Sequence, residues 1–139
     1  MSQENLEVVQ FIYEAWNRSG GVPPLDFIDP AIETEFVGSL DFAGKYRGHA
    51  GLATLLESFW GAFANHRIEV EECAPVRDSV VVTVHYYGRG MASGVDVDLR
   101  GWHVWTLRDR RVVRWRTFGT RQEALEAVGL SEQDAHADS

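Results

Sequence analysis

Cysteine is nearly absent: Cys73 stands alone, so no disulfide can form within the chain. No apolar run approaches the ~20 residues a membrane-crossing helix needs. None opens the chain as a secretory signal would, so a cytoplasmic protein without a membrane partner is expected. Positive charge is also short. With 13 Lys and Arg against 21 Asp and Glu the formal net charge is −8, which leaves nucleic acid and anionic lipid with little to attract them. No two histidines stand at close ligand spacing and there is no cysteine cluster, so neither a metal nor another cofactor is expected. The glycines between Gly88 and Gly94 are followed by no helical pattern and no Lys-Ser/Thr pair, so they read as a turn and not a phosphate loop.

What is present fits one globular domain: 139 residues, 45% hydrophobic and 24% charged. The domain is expected over 1–130, with a disordered tail over 131–139, where large apolar residues are missing. Leu6, Val9, Tyr13 and Trp16 recur at helical steps, predicting a helix from Glu4 to Asn17. Pro23 opens a short second helix through Ile28, broken by Asp29-Pro30. Ile32 to Val37 reads as a strand with Glu33 and Glu35 on one face, and either face can point inward. Gly38 to Gly48 reads as loop, and Ala50 to Ala64 as a third helix. Strands follow at Ile68–Ala74 and Ser79–Tyr87. Thr120 to Glu123 matches a capping box ahead of a last helix that Gly129 stops.

The segment Val95 to Phe118, VDVDLRGWHVWTLRDRRVVRWRTF, is a hairpin that holds three of the five tryptophans, with a histidine among them. Strand residues alternate faces, so Val97, Leu99, His103, Trp105 and Leu107 share one side. That apolar face with a single imidazole looks like the floor of a pocket. Arg108-Asp109-Arg110 reads as a three-residue turn, which keeps odd positions facing odd ones, sets His103 across from Trp115, and turns Arg114 and Arg116 away. A two-residue turn would set Arg116 beside His103 instead. On the opposite face Trp102, Val104 and Thr106 are apolar enough for a second subunit to cover, so a homodimer is expected.

The stretches FIYEAWN, DPAIETEF, YRGHAGL, GRGMASGVDVDLRGWHVWTLRD and RQEALEAVGL, in this order, resemble the SnoaL-like branch of the nuclear transport factor 2-like superfamily. The resemblance implies an α+β fold, a cone-shaped, curved, mostly antiparallel sheet wrapped around N-terminal helices with a central pocket. It also implies several possible functions, since this superfamily includes isomerases, cyclases, hydrolases, dehydratases and non-catalytic binders. Against the polyketide cyclases, His103 falls on a catalytic histidine, but Trp115 and Thr117 fall where a second histidine and an acid belong, which argues against aldol cyclisation. Against the ketosteroid isomerases, Glu35 falls on the carboxylate base, Ile12 on the helix-one tyrosine with Tyr13 one place off, and His103 near the donor aspartate.

The candidate catalytic residues are therefore Glu35 as base, with His103 and Tyr13 donating to a developing oxyanion. The candidate ligand contacts are Trp16, Phe59, His85, Tyr87, Trp105, Trp115 and Thr117, which suit a small hydrophobic or aromatic molecule. The two readings are a cofactor-independent isomerase, dehydratase or hydrolase, and a non-catalytic binding or carrier protein. The orientation of Glu35 distinguishes them. For His103, two protein partners on its ring nitrogens would mark it as structural, whereas a free nitrogen would mark it as serving the pocket.

Overall fold

The computed structural model describes residues 2–19, 23–37, 44–61 and 63–130. The expected tail lies outside them. Helix α1 (Ser2–Arg18) buries Val8, Val9, Ile12, Tyr13 and Trp16. A single 3-10 turn (Leu25–Phe27) stands where a short helix was expected, and strand β1 (Ile28–Phe36) starts early, running through Asp29-Pro30. The strand tolerates Pro30 because its pairing slips between Ile28 and Glu33, where the missing N–H is not needed.

Strand β2 (Gly44–Arg47) occupies part of the expected loop and pairs antiparallel with β1. Four residues are too few to show a period. Helix α2 (Gly48–Trp60) ends sooner than its spacing predicts, because Phe63 and Ala64 begin the long strand β3 (Phe63–Val76). Strands β4 (Ser79–Gly90), β5 (Asp96–Arg108) and β6 (Arg111–Phe118) follow. Helix α3 (Arg121–Ala127) is capped as expected: the Thr120 hydroxyl accepts from the Glu123 N–H, and Gly129 takes φ +81° just beyond.

Among the described residues the sheet order is β2-β1-β6-β5-β4-β3, with β1 and β6 parallel and every other pair antiparallel. Its inner face carries Val80, Val82, Val84, Trp105, Leu107 and Trp115 against α1 and α2. Its outer face carries Val81, Val104 and Phe118 beneath Ala124 of α3. Val104, expected to meet a second subunit, is thus covered by the chain's own last helix, and the Thr106 hydroxyl is bonded to Ser79 at 3.0 Å. No helix among the described residues is long and apolar enough to cross a membrane.

The β5–β6 turn is also corrected. Arg108 pairs with Arg111 across a two-residue turn, Asp109-Arg110, both at positive φ (51° and 65°) as a type I′ hairpin requires. Leu107 pairs with Val112, and then Val113 is passed over as a bulge, so that Thr106 meets Arg114 and Trp105 meets Trp115. The bulge restores the odd-to-odd facing that a longer turn would have given. His103 consequently lies across from Thr117, not Trp115, while Arg114 and Arg116 pair with outer-face residues.

Candidate functional site

His103 is fully buried on the inner face of β5, and both of its ring nitrogens are held by protein groups, which marks the ring as structural and leaves it no nitrogen for a ligand. The Tyr13 hydroxyl lies 2.5 Å from Nδ1, and the Tyr86 hydroxyl meets Nε2. The Trp105 Nε1–H donates to the Tyr13 oxygen at 2.8 Å. The chain Trp105–Tyr13–His103–Tyr86 thus has three hydrogen bonds and, with a neutral imidazole, four polar hydrogens. The imidazole tautomer decides which of the two phenols donates to the ring and which accepts from it, because indole donates and never accepts.

Burial keeps every member neutral. Loss of water draws the His103 pKa down to about 3, and it pushes the Tyr13 and Tyr86 phenols above their ordinary value. This imidazole is a poor base and takes no charge at neutral pH, so the relay can polarise a bound oxygen but cannot readily remove a proton. Around it stand aromatic walls: Trp105 stacks on Trp115 at 5.1 Å, and Trp16 and Phe36 lean on Trp115 at 5.6 and 6.2 Å.

Tyr86 reaches the relay because of Gly101. Its Cα partner is Leu99, two inward-facing positions before His103, and the ring lies along the strand over the intervening glycine. A Cβ at Gly101 would stand 2.6 Å from the Tyr86 ring. A groove of about 560 Å³ opens beside this region between α1 and β3, with Tyr13, Ile68 and Val70 in its lining and Gln10, Glu14 and Arg67 at its polar parts.

Glu35 is not part of this assembly. Ile32, Thr34 and Phe36 take the buried face of β1, so Glu35 projects outward, 3.9 Å from Lys45 and opposite Arg116. His85 and Tyr87 are also on the outer face, not the pocket side. His85 bonds to Asp98 at 3.1 Å and lies 3.3 Å from Glu71, with its pKa raised chiefly by Asp98, and Tyr87 stacks against it. The side chain of Phe59 lies outside the described residues. Tyr13, Trp16, His103, Trp105, Trp115 and Thr117 are brought together on the inner side.

The family model for the SnoaL-like domain matches residues 9–115. This chain belongs to the SnoaL-like family. Its α+β architecture is the nuclear transport factor 2-like cone, shared with Bal32a from a soil-derived mobile gene cassette (TM-score 0.76, 16% identity, covering 91% of this chain and 97% of that one). TerC, crystallised with polyporic acid, superposes at TM-score 0.72 with 22% identity, covering 90% and 98%. A candidate SnoaL-like polyketide cyclase from Jannaschia sp. CCS1 superposes at TM-score 0.69 with 19% identity, covering 84% and 85%. No curated protein matches the chain in sequence.

In this SnoaL-like chain Thr117 pairs with His103 across β5 and β6, and its hydroxyl cannot ionise in the working range of a carboxylate. Tyr86 is the site residue that sequence reading missed. Val80 to Val84 is buried on both sides, by the core on one and α3 on the other, so alternation there did not reveal which face of β4 looks inward. Gly101, between Arg100 and Trp102, was the available signal: a glycine inside a strand marks a close approach.

Proposed function

We propose that this SnoaL-like protein binds a small hydrophobic ring compound in its aromatic interior, reached from the α1–β3 groove, and serves as a binding or carrier protein. The observation that carries the reading is the aromatic interior built around the chain Trp105–Tyr13–His103–Tyr86, whose members are all neutral and matched to one another. The position of Glu35 supports binding over proton abstraction, because the only carboxylate base that the family resemblance suggests sits across the sheet. Tryptophan quenching tests this with two probes, 1-tetralone and polyporic acid, the compound crystallised with TerC. Micromolar binding of either supports the reading, and the absence of quenching by both refutes it.

The two phenols, held neutral by burial, favour one second reading, in which Tyr13 and Tyr86 stabilise an oxyanion during a cofactor-independent isomerisation, dehydration or hydrolysis. Incubation of 1-tetralone in D₂O separates the two: enzyme-dependent deuteration beside the carbonyl, followed by NMR, belongs to catalysis alone. The proposal includes a homodimer packed through the outer face of β3, β4 and β5. There Trp102 is half-buried, and its Nε1 has no hydrogen-bond partner among the described residues.

A further inference from the structure

Thr34 of β1 and Trp115 of β6 are paired across the parallel strands, and each is only 2% exposed. Both turn to the inner face, with Ile32, Phe36 and Trp105. Neither the Thr34 hydroxyl nor the Trp115 Nε1–H has a hydrogen-bond partner among the described residues. Their surroundings make this unusual. Trp105, stacked on Trp115, gives its own N–H to Tyr13, and the buried Ser79 hydroxyl is matched to Thr106. A buried polar group left unmatched is costly, and native interiors leave few of them.

An indole nitrogen can only donate, and a hydroxyl can donate beside it, so the complement of this pair is an acceptor oxygen. The charge on that oxygen is constrained as well. The cations nearest in sequence, Arg114 and Arg116, face the other side of the sheet, so neither of them compensates a carboxylate there. We propose that Thr34 and Trp115 form an oxygen-binding spot for the neutral carbonyl of a ring ketone or quinone. It is separate from the relay, since Trp115 meets His103 by ring contact at 5.2 Å and not through its nitrogen. The inference rests on the small-molecule reading above and names the ligand class.

The test uses the full chain with 1-tetralone and tetralin, which share a ring frame and differ by the carbonyl. The wild-type protein is expected to bind 1-tetralone about tenfold more tightly, the equivalent of ~1.4 kcal/mol. Thr34→Val is expected to abolish that preference without lowering Tm, while Thr34→Ser keeps it; Trp115→Phe is expected to abolish it too. If the wild type binds both probes equally, or if Thr34→Val keeps the preference, the oxygen-binding spot is overturned while the ligand-binding reading stands. A large fall in Tm for Thr34→Val would also overturn it, because the hydroxyl would then be serving a structural water. Failure of both 1-tetralone and tetralin to bind the wild type would overturn the oxygen-binding spot, and the small-molecule reading would then be decided by polyporic acid.

Discussion

Tyr86 and His103 touch although their strand positions are far out of step, because Gly101 leaves the space over which the tyrosine ring lies. Gly101 has no positive φ, so the glycine is needed for close approach and not for backbone freedom. Gly101→Ala is expected to displace Tyr86 and to cost about 1–3 kcal/mol, the usual range for overpacking. Urea unfolding checks the cost, and ¹⁵N NMR of the imidazole checks the lost Nε2 contact. Combined with Tyr86→Phe, the two changes should be clearly non-additive; simple addition would mean that Gly101 acts elsewhere.

His103 carries a pH signature of stability. Its folded pKa is about 3 against an ordinary 6.5, because burial penalises the charged ring. Below pH ~6.5 the unfolded chain takes up a proton that the folded chain refuses. Stability is therefore full above that pH and falls by up to ~1.4 kcal/mol per unit as pH drops toward 3. Between pH 7.5, 5.5 and 4.5 the unfolding midpoint of the wild type should fall more steeply than that of His103→Asn, so that the gap between them changes with pH, and parallel lines would contradict the desolvated imidazole. With both nitrogens bonded within the protein, His103→Ala should cost roughly 3–5 kcal/mol, since it leaves two buried phenols short of a partner and a cavity behind.

Glu35→Gln should matter little. Its carboxylate faces outward near Lys45, at 3.9 Å, so the change is expected to stay within about 0.5 kcal/mol in stability and to leave probe affinity unchanged. A large loss of affinity or of proton-transfer activity would restore Glu35 to the site and reverse the argument for binding.

The dimer expectation is checked by sedimentation at micromolar concentration. Since α3 already covers Val81, Val104 and Phe118, the contact should fall on the remaining outer face around Trp102, and Trp102→Glu should shift the species to monomer. A wild-type monomer would remove the dimer from the proposal.

Several of these features were legible in the chain. The inner side of the β5–β6 hairpin was readable because its two faces differ sharply: His103, Trp105, Trp115 and Thr117 against arginines and aspartates. The pairing of Glu33 with Glu35 on one face of β1 was equally plain. Their outward direction was not, because it follows from Ile32, Thr34 and Phe36 meeting α2 and the core. Tyr86 was hidden because a valine run buried on both faces has no polar side to set the phase. Strand β2 was hidden by its length, since four residues are too few to show a period.

The passed-over Val113 joins two properties that are usually discussed apart. It sets which way Trp115 and Thr117 look, and as a bulge it also sharpens the local twist of the sheet. A chain with one more turn residue and no Val113 would keep the same facing but lose that added twist. The room enclosed beneath the hairpin can therefore be altered by moving a single residue between turn and strand, with every inward-pointing side chain left unchanged.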